Sequence, residues 1–331
     1  MVGKKVKCIS IFIVLITLIL GGCNTPREDL KEDVVKIGIT QIVEHPALDA
    51  SRKGFIDALE SKGFKDGENI DIDSQNAQGD IPTAQTIAEN FVSQKKDMIL
   101  AIATPTAQAA YNITKDTPIL ITAVTDPLKS GLVKSLDKSQ TNVTGTSDAT
   151  PIKKQFKMLK KLIPKAKKIG ILYNTSEVNS EIQVDKAKEV AKEFDVEIIT
   201  TGVTSVNEVA QSLDALLEKI DVLYTPTDNL VASSMPLISD ECMKKSIPII
   251  GAEKSHVESG ALATEGIDYY KLGFETGLMA VDVINGKKPK DMPINTLKDT
   301  ESIVNIEVAE KLNIDIPKDI LDSSLEIKGG E

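Results

Sequence analysis

The stretch Asp97-Met-Ile-Leu-Ala-Ile-Ala-Thr104-Pro105-Thr106-Ala-Gln108-Ala-Ala110 decides how the whole chain is read. Its apolar run suits a strand covered on both faces, Pro105 suits the entry to a helix, and Thr104 and Thr106 carry hydroxyls of the kind that cap a helix start. Strand, loop and helix therefore follow one another here. The unit recurs at Asp221-Val-Leu-Tyr224-Thr225-Pro226-Thr227-Asp228-Asn229-Leu-Val, with Asp-Asn in place of Ala-Gln. Two similar loops, one of them acidic, in two halves of one chain point to a ligand held between two lobes.

Working outward, other landmarks match in the same order. Lys168-Ile-Gly-Ile171 repeats Lys36-Ile-Gly-Ile39, Pro248-Ile-Ile-Gly-Ala252 parallels Pro118-Ile-Leu-Ile-Thr-Ala123, and His256-Val-Glu-Ser-Gly260 follows as Pro127-Leu-Lys-Ser-Gly131 does. An internal duplication accounts for this order. In the first half the patterns predict strands at 34–40, 69–73 and 118–123, with helices at 48–62, 82–95 and from Thr104 to 114. In the second they predict strands at 168–171 and 196–201, with helices at 181–194 and 206–219. Such alternation means α/β lobes with parallel sheets and crossover helices, two Rossmann-like halves in all. The stretch from Thr141 to Pro151, rich in Thr, Ser, Asp and Gly, is the natural crossing between them. Pattern alone gives the helix at 270–284 and the segment after it to neither lobe.

The N-terminus belongs to targeting. Lys4, Lys5 and Lys7 precede an apolar run that ends in Leu20-Gly21-Gly22-Cys23, which reads as an export signal over 1–22 with Cys23 as the acylated residue after cleavage. Residues 23–33 read as a polar tether. Loss of the three lysines takes the formal charge from −10 to −13, which argues against nucleic acid or an anionic membrane as the main partner. Cys242 is then the sole thiol besides Cys23, so no internal disulfide is expected.

In an open parallel sheet, ligands sit outside the carboxyl ends of the strands. The first half then supplies Gln41, His45, Thr104 to Thr106 and Thr125-Asp126; the second supplies Tyr173, Asn174, Glu177, Asn179, Asp228, Asn229 and Glu253. A helix N-terminus at Thr104 to Thr106 favours a carboxylate, while Asp126, Glu177 and Asp228 offer the opposite charge for an ammonium. Carboxylate and ammonium on one small molecule spell an amino acid. Two histidines, His45 and His256, give no metal-ligand spacing, and neither a metal nor a cofactor is expected. The chain has no Gly-x-Ser-x-Gly elbow, His-Glu-x-x-His pair or Gly-rich dinucleotide turn, which argues against an enzyme. A carboxylate pair such as Asp126 with Glu253 is what is left for acid–base work.

These motifs together, with Thr40-Gln41-Ile-Val-Glu-His45-Pro46, Ala123-Val-Thr-Asp126-Pro127 and Gly260-Ala-Leu-Ala-Thr264-Glu-Gly-Ile-Asp268-Tyr269-Tyr270, resemble the substrate-binding lipoproteins of ABC importers with the type I periplasmic-binding fold. More narrowly, the chain is similar to the branch associated with tryptophan, phenylalanine and tyrosine uptake. The resemblance implies two lobes joined by three crossings: residues 34–146 with about 263–295 in one, and 147–262 with about 296–331 in the other. It implies a monomer, lipid-anchored on the outer face of the cell membrane, that closes over its ligand and delivers it to an ABC permease. Thr104 and Thr106 would hold the carboxylate, Asp228 with Asn229 the ammonium, and Ile42, Val43, Pro46, Pro105, Tyr173 and Tyr224 the side chain. Such walls also suit a branched aliphatic amino acid or a small peptide, and the same cleft suits a sensory module read by a membrane signalling partner.

Overall fold

A computed structural model describes residues 34–329. The export signal at 1–22, the lipidation site Cys23 and the tether at 23–33 lie outside the described residues. The first run of elements is β1 (Val35–Gln41), α1 (Pro46–Ser61), β2 (Ile70–Asn76), α2 (Ile81–Ser93), β3 (Met98–Ile102), α3 (Thr104–Ile113), β4 (Ile119–Val124) and β5 (Val143–Ser147). β3 and β4 are buried along their whole length, as unbroken apolar runs in a helix-covered sheet should be. Asp80 starts α2 by accepting the Thr83 N–H, and Pro46 starts α1, each meeting a need of the first helical turn.

The second run is α4 (Ile152–Leu162), β6 (Lys168–Asn174), α5 (Val178–Ala191), β7 (Glu197–Val203), α6 (Val206–Leu217), β8 (Val222–Thr225), α7 (Asn229–Ser233), α8 (Met235–Lys244), β9 (Ile249–Gly251), α9 (Lys254–Glu258) and β10 (Ala263–Gly266). The last run is α10 (Tyr269–Ile284), β11 (Ile294–Thr296), β12 (Glu301–Asn305), α11 (Ile306–Lys311), α12 (Lys318–Leu321) and β13 (Leu325–Ile327).

Two sheets result, with strand orders β11-β5-β4-β3-β1-β2 and β13-β12-β10-β9-β8-β6-β7. Neighbours run parallel except β10 and β12. The chain therefore passes between the sheets after β5, after β10 and after β11. Where the sequence suggested a return at about 263, β10 instead pairs with β9 and β12 in the second sheet, so the return comes after Gly266.

β5 lies inside the stretch read as a polar crossing. Its Val-Thr-Gly-Thr-Ser composition hides it, yet every residue is buried. Its hydroxyls are satisfied laterally, Thr146 bonding to Thr276 at 2.8 Å and Ser147 to the Thr125 carbonyl at 3.0 Å. Gly145, at φ 136°, lets the strand pass the backbone of Ile121, where a Cβ would sit 2.1 Å from a carbonyl oxygen.

α10 returns across the back of the first sheet and packs on α1 at backbone contact. A Cβ on Gly273 would lie 1.9 Å from the Ser51 carbonyl oxygen, and the Ser51 hydroxyl donates to the Tyr269 carbonyl at 3.0 Å. Separate cores, around Phe55, Phe91 and Leu100 on one side and Phe156, Tyr224 and Leu213 on the other, hold the two sheets. The loops at their strand ends meet, with Thr125 Oγ1 3.5 Å from Thr227 Oγ1.

Candidate functional site

Between the two sheets lies a small hollow with room for about a single water. His45, Leu48 and Ala123 line it from the first sheet's side, and Asn179, Thr227, Asp228, Asn229, Ala232 and Glu253 from the second; Asp148 and Tyr269, at the crossings, complete it. A second space opens outward beside it, between Val43, Gln78 and Asp80 on one side and Asn174, Glu177, Val206, Asn229 and Leu230 on the other. Asn229 borders both. A third hollow, over Pro46, Ala50, Lys254, Glu258 and Tyr270, lies between α1, α9 and α10 and contains none of the unpartnered buried polar atoms described below.

Local backbone chemistry sets the first wall. β3 and β4 pair as far as Ile102 and Thr122, and both chains then turn through left-handed residues, Ala103 at φ 83° and Ala123 at φ 56°. Alanine rarely adopts such angles, and backbone strain of this kind is concentrated at ligand sites. Beyond Ala103, α3 opens with Thr104, whose buried hydroxyl has no hydrogen-bond partner. The first-turn N–H groups of Thr104 and Thr106 lack intrahelical acceptors, as in any helix, and Pro105 has none to satisfy. The Thr106 hydroxyl, by contrast, donates back to the carbonyls of Ile102 and Ala103 at 2.7 and 3.0 Å, so its side chain locks the turn.

The second wall is an acidic network. Glu177 accepts from the side-chain amides of Asn174 at 3.0 Å, Asn179 at 3.1 Å and Asn229. Asp228 accepts the Asn174 N–H at 2.6 Å and, as N-cap of α7, the Val231 N–H at 2.9 Å. Burial pushes the Glu177 carboxyl up to about 7, the neighbouring Asp228 charge adds to this, and the three amides oppose it. Burial likewise pushes Asp228 up, against the backbone N–H groups that hold it down. Among the described residues no lysine, arginine or histidine forms an ion pair with either acid.

At the inner end both histidines gather around Glu253. His256 Nε2 lies 3.2 Å from Glu253 Oε1, and its Nδ1 is 2.9 Å from the Thr225 hydroxyl. Burial alone would raise Glu253; the charges of His256 and His45 outweigh it and hold the carboxyl at about 2. His45 is lowered by burial, with Glu253 opposing, and its Nδ1 has no partner. Asp148, raised to about 6 chiefly by burial, accepts the Tyr269 hydroxyl at 2.8 Å on one oxygen, while its Oδ1 is unpartnered.

Of the residues expected from sequence, His45, Asn179, Asp228, Asn229 and Glu253 line the inner cavity, and Asn174 and Glu177 the outer space. Thr104 lines neither space, and its buried hydroxyl is unpartnered. Four expectations need correcting. The Gln41 amide ties its own loop, donating to the Val43 carbonyl and to Asp49 at 2.9 Å each. Asp126 is half-buried and caps a surface turn through the Lys129 N–H at 2.9 Å. Tyr173 packs on the second core. Tyr224, expected as a wall, is fully buried there, donating to Gln155 at 2.7 Å with its ring edge-on to Phe156.

Asp148, Tyr269, Leu48 and Ala232 escaped the sequence reading. Recognising Val143 to Ser147 as a strand would have put Asp148 at a strand end, beside the others.

Residues 36–328 match the family described as ABC transporter substrate binding protein. Over 321 residues the chain is 53% identical to a tyrosine-binding protein of Clostridioides difficile, covering 94% of this chain and 93% of that one. A Streptococcus pneumonia ABC domain solved in complex with L-Trp is 38% identical, with TM-score 0.86 over 88% of this chain and 99% of its own. The ligand-free, open structure of a Clostridium difficile substrate binding protein with adhesive properties is 56% identical, yet its TM-score is 0.68 over 89% and 99%. Here the loops of the two sheets touch at Thr125 and Thr227. The fold is the α/β, two-sheet architecture of periplasmic binding proteins, and the chain belongs to the ABC transporter substrate-binding protein family.

Proposed function

We propose that this protein captures an aromatic amino acid between its two lobes and hands it to an ABC permease. The observation that carries the reading is the buried pair Glu177 and Asp228, two carboxyls pushed upward side by side with no cation paired to either among the described residues. A bound ammonium supplies that charge, and burying two acids is otherwise costly. Asp228 and Glu177 take the ammonium, with Asn179 and Asn229 as their neighbours. The Thr104 hydroxyl and the first-turn N–H groups of α3 take the carboxylate, where the helix dipole favours an anion. An aromatic side chain is supported by the tyrosine-binding relative and the L-Trp complex.

In this reading one lobe is built on the first sheet, with α10 and β11, and the other on the second sheet, with β12 and β13. The protein is a monomer with no catalytic role, exported and held at the outer face of the membrane through lipid on Cys23. The chain contains no tryptophan, so excitation selective for tryptophan reports bound L-tryptophan without background. Calorimetry with L-tyrosine, L-phenylalanine and L-tryptophan is expected to give saturable heat with at least one. Silence with all three would overturn the assignment.

A further inference from the structure

Resting on the reading of Cys23 as a lipid anchor, we propose that the lysine face of α4 and of the segment leading into β6 docks on the anionic headgroups of the membrane that holds the anchor. From Ala149 to Ser176 the sequence carries eight lysines and no acid, in a chain whose formal net charge is −10. The charge that argues against an anionic membrane for the chain as a whole is thus unevenly spread, and such asymmetry marks an interaction face.

The fold gathers these lysines on one surface. α4 buries Ile152, Phe156, Leu159 and Leu162 and leaves Lys153, Lys154, Lys157 and Lys161 exposed. Lys160 bends over the helix end, its ammonium 3.1 Å from the Pro164 carbonyl and 2.9 Å from that of Ala166. This draws the segment with Lys165, Lys167 and Lys168, all exposed, against the helix. Among the described residues, Lys157, Lys165 and Lys168 form no ion pair. Lys153, Lys154, Lys161 and Lys167 pair with Glu193, Glu265, Asp319 and Asp195, and Asp221 accepts the backbone N–H groups of Lys167 and Lys168. The four paired lysine side chains are 43–66% exposed, so their bridges are weak and open to exchange with an external anion.

The occupant follows from what the face offers. No large hydrophobic side chain is exposed between 149 and 176, so it presents neither a stacking platform for nucleic-acid bases nor the apolar anchor of a protein interface. Ammonium groups on flexible stems suit a diffuse sheet of phosphate, whose attraction extends about 10 Å. Ten residues separate Cys23 from Val34, a reach of at most roughly 35 Å, so the anchor keeps the protein close to that sheet. The cleft stays clear, because Lys168 begins β6 and Asn174, which borders the outer space, ends it.

The test is lysine footprinting of the full-length protein, purified from membranes and reconstituted into vesicles of phosphatidylcholine alone or mixed with an equal part of phosphatidylglycerol. A water-soluble acetylating reagent is applied and each peptide is read by mass spectrometry. At about 50 mM salt, Lys157, Lys161, Lys165 and Lys168 should react about fivefold more slowly on the anionic vesicles, the factor set by one lysine's attraction to such a surface. The difference should vanish at about 500 mM. Lys219 and Lys244 follow α6 and end α8, which pack on the other core of the second sheet, and should react alike on both vesicles. The triple variant Lys157→Gln, Lys165→Gln, Lys168→Gln breaks no ion pair; it should abolish protection of Lys161 and leave amino-acid binding unchanged. Equal reactivity of the lysine face on the two vesicles overturns the proposal, as does protection by soluble duplex DNA without protection by vesicles. The mass of the N-terminal peptide reports lipid on Cys23 separately. Without that lipid the anchor reading fails; sedimentation with anionic but not neutral vesicles would still support the lysine face, and sedimentation with neither would overturn it.

Discussion

Replacing Glu177 by glutamine tests the acidic wall most directly, because it removes one charge from the pair while leaving the α7 cap at Asp228 in place. In the ligand-free protein the Glu177 carboxyl is pushed up to about 7 from an ordinary 4.5. A group whose folded pKa is raised binds its proton more tightly when folded, so its effect on stability is absent below the unfolded value and grows unfavourable as pH rises to the folded one. The difference corresponds to roughly 3 kcal/mol lost from the ligand-free protein between about pH 4.5 and pH 7. At about 2 °C per kcal/mol for a chain of this size, that is a fall in Tm of roughly 6 °C. Glu177→Gln abolishes this component, so the Tm difference between about pH 5 and pH 8 shrinks by that amount relative to wild type. The variant's absolute stability is a separate matter, since an amide accepts fewer of the Asn174, Asn179 and Asn229 bonds. Asp228 loses a repelling neighbour in the variant and its upward shift relaxes in the same direction, so the measured change belongs to the pair; Asp148 and His45 are common to both proteins and cancel. Differential scanning calorimetry across that pH range, with and without ligand, reads the effect. A bound ammonium restores the ionised pair, so wild-type affinity should rise over the same interval, and Glu177→Gln should weaken binding by about thirtyfold or more. Parallel Tm profiles for the two proteins, or unaltered affinity, would refute the assignment.

Three further perturbations separate binding from folding. Thr104→Val removes a buried hydroxyl that has no partner; it should weaken amino-acid binding about tenfold with no loss of Tm, whereas Thr106→Val, which breaks bonds to Ile102 and Ala103, should lower Tm by several degrees. Asp228→Ala is expected to abolish measurable binding and also to cost about 1 kcal/mol through the lost α7 cap; wild-type affinity in this variant would assign Asp228 to capping alone. Gly273→Ala drives a Cβ to 1.9 Å from the Ser51 carbonyl, so α1 and α10 must part at a cost of about 1–3 kcal/mol, measurable by chemical denaturation, and an unchanged midpoint would show that the helices separate freely.

The sequence by itself determined the α/β class, the duplicated strand–loop–helix units and the acidic character of one loop. These are local properties: a buried parallel strand must be an apolar run, Pro favours a first helical turn, and a short polar residue at its start caps it. Thr104, Glu177 and Asp228 were legible because they stand at such ends. Only the tertiary structure decided which polar residues face the cavity. Asp126 and Asp148 both follow a strand of the first sheet, and nothing in their neighbours says that one caps a surface turn while the other is sealed beneath Tyr269. That distinction depends on α10 returning across the first sheet from a position 121 residues further on. It depends equally on β5, whose threonines and glycine look like a loop until Thr276 and Ile121 close around them. Tyr173 and Tyr224 show the reverse error: their aromatic character suggested a ring pocket, but their place on the sheet turned them into the second core. Burial of a polar group is set by what packs over it, and the packing partners here lie far away in sequence.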